Sequence, residues 1–131
     1  MIQTMLAEAR DRIVRLSPSE AAASDALIVD TRSNDERERE GIVPGSVHVP
    51  LSVLEWRADQ SSGHANPALA DRKLILLCAH GYSSSLAASR LVDLGIDAGD
   101  LVGGFEAWRE AGLPVAGAPV AAGTPGMGRP Q

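Results

Sequence analysis

The chain has 131 residues, 44 % of them apolar, a formal net charge of −5 and one cysteine, which suits a single domain with its own core. One cysteine excludes an internal disulfide, and an acidic chain without a basic patch or aromatic platforms is a poor nucleic-acid partner. No apolar run nears the ~18 residues that span a bilayer, and Glu8, Arg10, Asp11, Arg12 and Arg15 stand where a secretion signal is apolar. The expectation is a cytoplasmic protein with a reduced thiol and no membrane partner.

Ile2 to Arg12 reads as a short amphipathic helix with Met5, Leu6 and Ala9 on one side. A lid, a packing arm and a dimer contact are all open roles for it. Ile13 to Leu16 reads as a first strand. Ser17-Pro18-Ser19-Glu20 supplies an N-cap, Pro at the first helical position and an acid at the third, so a helix is expected from Ser17 through Ala23.

Leu27 to Asp30 is a short apolar run of central-strand type, ending on an acid that Thr31 and Arg32 follow. Asn34 to Glu40, NDERERE, reads as a solvated surface helix closed by Gly41. Pro44-Gly45 turns the chain into an alternating strand over Ser46 to Val49, and Leu51 to Ala58 reads as a further helix carrying Trp56 and Arg57. His48, His64 and His80 lack the spacing of a metal site, so neither metal nor cofactor is expected.

The stretch Leu74 to Arg90, LILLCAHGYSSSLAASR, carries the chemistry. A strand over Leu74 to Leu77 delivers Cys78 into a loop that opens onto a helix running from Ser83 to Leu94. Only a thiolate attacks, and lowering a thiol pKa from ~8.5 toward ~6.5 takes ~2.7 kcal/mol of anion stabilisation. A helix N-terminus supplies unpaired N–H groups, Gly81 can take the left-handed turn that curls N–H groups around an anion, and Ser83, Ser84 and Ser85 add hydroxyl donors. A small buried structural thiol is the competing reading. Beyond it come a Gly95 stop, a brief strand over Asp100 to Val102 and a helix from Phe105 to Ala111.

Strands alternating with helices predict an α/β fold, an open, mostly parallel five-stranded sheet with helices on both faces. The expected organisation is an N-terminal helical arm over 1–14, a domain over 15–113 and a mobile Gly/Pro-rich tail over 114–131.

Four motifs coincide in order and spacing: IVDTR at Ile28 to Arg32, GIVPGSVHVP at Gly41 to Pro50, CAHGYSS at Cys78 to Ser84 and LVGGFEAWREAGLPV at Leu101 to Val115. Together they resemble a single-domain rhodanese over roughly Arg15 to Val115. The resemblance implies a rhodanese-like sheet and a sulfurtransferase working through a persulfide on Cys78, with ping-pong kinetics. It further implies that the backbone from Ala79 and His80 through Gly81, Tyr82, Ser83 and Ser84 cradles the substrate sulfur, and that Asp30 and Arg32 support the loops. Partners would be a small sulfur donor such as thiosulfate and a cyanide, thiol or protein acceptor. Two positions depart from the family pattern: Ser83 stands where C-x-x-G-x-R-S places Arg, and Ile42 replaces the His of G-H-I-P-G. Arg57 or Arg32 are the candidates to replace the lost cation. A non-catalytic interaction or sensing module is the alternative. A phosphatase on this fold would need C-x-x-x-x-x-R, and Ser84 occupies that Arg position.

Overall fold

The computed structural model describes residues 1–117. Its elements run α1 (Ile2–Asp11), β1 (Val14–Leu16), α2 (Pro18–Ala23), β2 (Leu27–Asp30), α3 (Asn34–Glu40), β3 (Val47–His48), α4 (Leu54–Ala58), β4 (Leu74–Leu77), α5 (Ser83–Asp93), β5 (Ala98–Leu101) and α6 (Gly104–Glu110). One 3-10 turn, Leu51–Val53, precedes α4, and another, Pro67–Leu69, precedes β4.

The five strands form one parallel sheet in the order β1-β5-β4-β2-β3. Side chains alternate across it, as the two-residue strand period requires. Leu27, Val29, Leu74, Leu76 and Ala98 face a core shared with Leu54 and Ala58 of α4 and Ala87, Ala88 and Leu91 of α5. Ile28, Ile75, Leu77 and Leu101 face the opposite core with Ala21 of α2 and Phe105 and Trp108 of α6. Both central strands are buried along their whole length, which explains their continuous apolar sequences.

The helix starts follow local chemistry. Ser17 and Glu20 form a reciprocal capping box at α2, and Ser33 and Glu36 form a second at α3. α1 buries Leu6 and Ala9 and packs against α5, so of its three open roles the structure displays packing.

Three expectations shift in detail. β5 begins at Ala98, earlier than Asp100, because Gly99 is a pairing residue rather than a turn: a Cβ there would lie 2.1 Å from the Val14 carbonyl oxygen. The segment expected as one helix from Leu51 starts as a 3-10 turn. The charged α3 is also more than a solvated face, since Arg37 Nε reaches back to the Asp30 carboxylate at 3.2 Å. Of the tail expected to be mobile, Ala116 exchanges backbone hydrogen bonds of 2.8 and 2.9 Å with Ile42. Residues 118–131 lie outside the described residues.

Candidate active site

β2 and β4 are neighbours, but the chain leaves β2 for β3 on one side and β4 for β5 on the other. Such a reversal opens a crevice at the carboxyl ends of the strands. Cys78 follows β4 at that point, 6 % exposed.

The loop after β4 is turned so that its carbonyls face outward into protein donors. The Leu77 carbonyl accepts from the Thr31 N–H and hydroxyl, both at 2.9 Å. The Cys78 and Ala79 carbonyls accept from the Phe105 and Glu106 N–H groups at 2.8 and 3.2 Å. This approach requires glycine: a Cβ on Gly104 would lie 2.4 Å from the Cys78 oxygen, and Gly104 has φ +64°. Gly81, at φ +86°, is packed as tightly, with a hypothetical Cβ 2.8 Å from the Gly103 nitrogen.

At the sulfur, the Gly81 N–H donates to Cys78 Sγ at 3.1 Å, and the thiol donates to Ser84 Oγ at 3.2 Å. Ser84 and Ser85 in turn donate to Asp100 Oδ2, each at 2.7 Å. Asp100 is fully buried on β5 and pairs through Oδ1 with Arg15 Nε at 2.8 Å. Burial pushes the Cys78 thiol up, but hydrogen bonds from the Ser84 and Ser83 hydroxyls and the Ser84 and Gly81 amides outweigh it, leaving the pKa below its ordinary value. Ser84 has a single proton, so it cannot serve the thiolate and Asp100 together. When the thiol ionises, Ser84 can turn toward sulfur because Asp100 keeps Ser85 and Arg15.

The remaining predicted residues fall into three groups. Ala79, His80, Gly81, Tyr82, Ser83 and Ser84 stand around Cys78 as one loop and helix start. Within it His80 Nδ1 is 2.7 Å from Glu106, while Tyr82 is 62 % exposed at the rim. Asp30 and Arg32 form a buried pair beside the crevice: Arg32 binds both carboxylate oxygens, donates to the Gly41 carbonyl at 2.8 Å and stacks 3.9 Å above the Phe105 ring centroid. Arg32 Nη1 makes no hydrogen bond and lies 3.9 Å from Glu40. With a side chain fully enclosed, Arg32 has no route to a substrate.

Arg57 is not brought to the loop. Its guanidinium donates to the His64 carbonyl at 3.0 Å. Adjacent Ala58 shares a groove with Leu94 and Gly95, beyond the end of α5 opposite Cys78.

Sequence reasoning passed over Asp100, Arg15 and Arg10. In the sequence Asp100 reads only as the start of a brief strand, though a lone acid in a strand whose other residues are apolar or Gly is a signal of a buried pair. Arg10 Nη2 reaches the Gly81 carbonyl at 2.8 Å and its Nε reaches Ser85 Oγ at 3.1 Å. Nothing in α1's own pattern points to that contact.

Among the described residues no group of acids, histidines and cysteine could hold a metal ion, and no helix is long and apolar enough to cross a membrane. The chain is similar to known proteins over most of its length. The chain is 34 % identical over 99 residues to thiosulfate sulfurtransferase GlpE of Pseudomonas syringae pv. syringae, covering 72 % of this chain and 86 % of that one. It is 29 % identical over 86 residues to GlpE of Coxiella burnetii, covering 65 % and 73 %. It superposes with a TM-score of 0.82 on the structure of RPA3614 from Rhodopseudomonas palustris, described as a protein of unknown function and possible tyrosine phosphatase, at 39 % identity over 88 % of this chain and 93 % of that one. Residues 17–111 match the model of the rhodanese-like domain, and the chain belongs to that family.

Proposed function

We propose that the protein is a sulfurtransferase that carries sulfane sulfur on Cys78, taking it from a donor such as thiosulfate and passing it to cyanide, a small thiol or a protein thiol. The observation that carries this reading is a single thiol held below its ordinary pKa by hydroxyl and amide donors at the sheet's crevice. The thiosulfate sulfurtransferase relatives support the same reading.

In the first step the Cys78 thiolate attacks the outer sulfur of thiosulfate. A bond forms between Sγ and that sulfur, and the bond to the sulfonate sulfur breaks, its electron pair leaving with sulfite. In the second step an acceptor anion attacks the outer sulfur and the electron pair returns to Cys78. Two displacements through a covalent intermediate give ping-pong kinetics. The loop's role is to stabilise the anion at both ends of the cycle, through the Gly81 N–H already fixed on sulfur and the Ser84 hydroxyl that turns to it. Asp30 and Arg32 support the loops from beneath, and a reducing compartment such as the cytoplasm keeps the thiol available.

The likeness to a possible tyrosine phosphatase raises a second reading. Against it, Ser84 occupies the position where a phosphatase loop needs arginine, and its hydroxyl donates to a carboxylate. A phosphate there would meet Asp100 one hydroxyl away.

Intact-mass measurement after thiosulfate treatment tests the proposal. The expected result is the gain of one sulfur atom by wild type, its removal by cyanide, and no gain by Cys78→Ser. Hydrolysis of a phosphotyrosine peptide without sulfur uptake would select the phosphatase. No reaction with either would leave the interaction module.

A further inference from the structure

The Gly81 backbone carries two hydrogen-bonding groups with separate duties. Its N–H donates to Cys78 Sγ at 3.1 Å. Its carbonyl accepts from Arg10 Nη2 at 2.8 Å and Arg15 Nη2 at 3.2 Å, while Ser85 Oγ, whose one proton goes to Asp100, stands 3.3 Å away. One donor satisfies a buried carbonyl; two, both cationic, fix its direction. Both arginines precede the family-matched segment, which begins at residue 17. The anchoring is therefore contributed by α1 and β1 from outside that segment.

Peptide geometry gives the consequence. The Gly81 carbonyl and the Tyr82 N–H belong to one planar trans unit and point in opposite directions, and no described peptide bond is cis. A carbonyl drawn toward Arg10 and Arg15 sends the Tyr82 N–H to the opposite side of that peptide unit.

Arg10 and Arg15 differ in what else they do. Arg15 is committed to the Asp100 carboxylate. Both hydrogen bonds of Arg10 go to neutral oxygens, and its guanidinium lies 5.7 Å from the Tyr82 ring centroid. Among the described residues it forms no ion pair, and the Ser85 hydroxyl stands between it and the Asp100 carboxylate.

We propose that Arg10 is a positioning residue for sulfur transfer: it pins the Gly81 carbonyl, thereby aims the Tyr82 N–H at the outer sulfur of the Cys78 persulfide, and supplies from behind the positive charge absent at Ser83. The inference rests on the persulfide reading of Cys78. It assigns α1 a part in the site that its amphipathic pattern does not announce.

Arg10→Met keeps the aliphatic stem and removes every donor. On persulfide formation in wild type, the Tyr82 amide NMR resonance is expected to shift. In Arg10→Met that shift shrinks and persulfide formation from thiosulfate slows about tenfold, as loss of a charge-assisted hydrogen bond implies. Arg10→Lys, which keeps a charged donor, recovers most of the rate. Arg12→Met is the control for a merely loosened helix, because Arg12 ties α1 to Ser89 and Asp93 without touching the loop; it keeps the wild-type rate. A wild-type rate and Tyr82 shift in Arg10→Met, or an equal loss in Arg12→Met, overturns the proposal. A wild type that takes up no sulfur overturns the reading of Cys78 itself, a result distinct from either.

Discussion

The Ser84 hydroxyl donates to the Asp100 carboxylate at 2.7 Å while accepting from the Cys78 thiol at 3.2 Å. The same side chain thus ties the Cys78 sulfur to a buried acid. On ionisation the contact reverses, and Ser84 becomes a donor to sulfur. Asp100 tolerates the loss because Ser85 Oγ lies equally close.

Ser84→Ala removes the hydroxyl that does most to lower the Cys78 pKa. The thiol pKa rises, and the midpoint of its alkylation by iodoacetamide moves to higher pH. A hydrogen bond to a charged group contributes about 1.5–3 kcal/mol, which corresponds to roughly one to two pH units. An unchanged midpoint would remove Ser84 from the account of thiolate stabilisation.

The depressed pKa is also a statement about stability. A group that ionises more readily when folded adds stability that is fully present above its unfolded pKa and is lost as pH falls through its folded pKa. Wild type should therefore gain stability over Cys78→Ala as pH rises through that window, from the folded pKa up to the ordinary thiol value. Urea titrations of both proteins across this range check it, and parallel pH profiles would contradict the direction of the shift.

Asp100→Asn keeps the shape of the side chain but leaves Arg15 facing a neutral amide. Breaking one partner of a buried pair costs about 3–5 kcal/mol, and the lower end applies because the Arg15 side chain is 20 % exposed. Denaturant unfolding should show that loss. Since Ser84 then has no carboxylate to donate to, its proton is freer for sulfur, so the alkylation midpoint should move down as stability falls. Loss of stability with a raised midpoint would mean that Asp100 acts by holding the loop rather than by competing for the proton.

Gly104→Ala tests whether the loop depends on close approach to α6. The added methyl group would lie 2.4 Å from the Cys78 carbonyl oxygen at a backbone φ of +64°. Strain of this kind costs about 1–3 kcal/mol, and relief requires α6 to withdraw from the loop. Both stability and the rate of persulfide formation should drop. A crystal structure of the variant with the Phe105 N–H still bonded to Cys78 would show that the strain is absorbed elsewhere.

How much of this was legible in the sequence differs between the sheet and the site. Leu27 to Asp30 and Leu74 to Leu77 are continuous apolar runs because both faces of each strand are covered, so strand type and sheet class could be read directly. Capping chemistry at Ser17 is written within four residues and was equally readable. The loop of Cys78 was visible as a local pattern too. What could not be read were contacts joining distant residues, such as Arg10 with Gly81 or Arg15 with Asp100, which depend on how α1 and β1 lie across β5 and α5. Arg57 illustrates the converse: a cation in a plausible segment is held by its local loop, at the His64 carbonyl, rather than at Cys78. Asp30 and Arg32 lie two residues apart in sequence, and their pairing could be anticipated without the fold.

The last prediction concerns the anionic donor. Ser83 opens α5 and is exposed at the mouth of the loop, so a longer side chain there has room to fold over Cys78. Thiosulfate approaches a thiolate as a dianion and releases sulfite, so a fixed cation on the open side favours both steps. A charge-assisted hydrogen bond contributes about 1.5–3 kcal/mol where solvent is largely excluded, so Ser83→Arg should raise kcat/KM for thiosulfate roughly ten- to a hundredfold. An uncharged sulfur donor should gain much less, because the benefit is electrostatic. Arg57→Ala should leave thiosulfate turnover unchanged, since its guanidinium is held at His64. Steady-state kinetics with charged and neutral donors make the comparison. Equal gains for both donors would point to a reordered loop instead of an added charge, and a drop in Arg57→Ala would mean that the 60–67 segment swings toward the site during turnover.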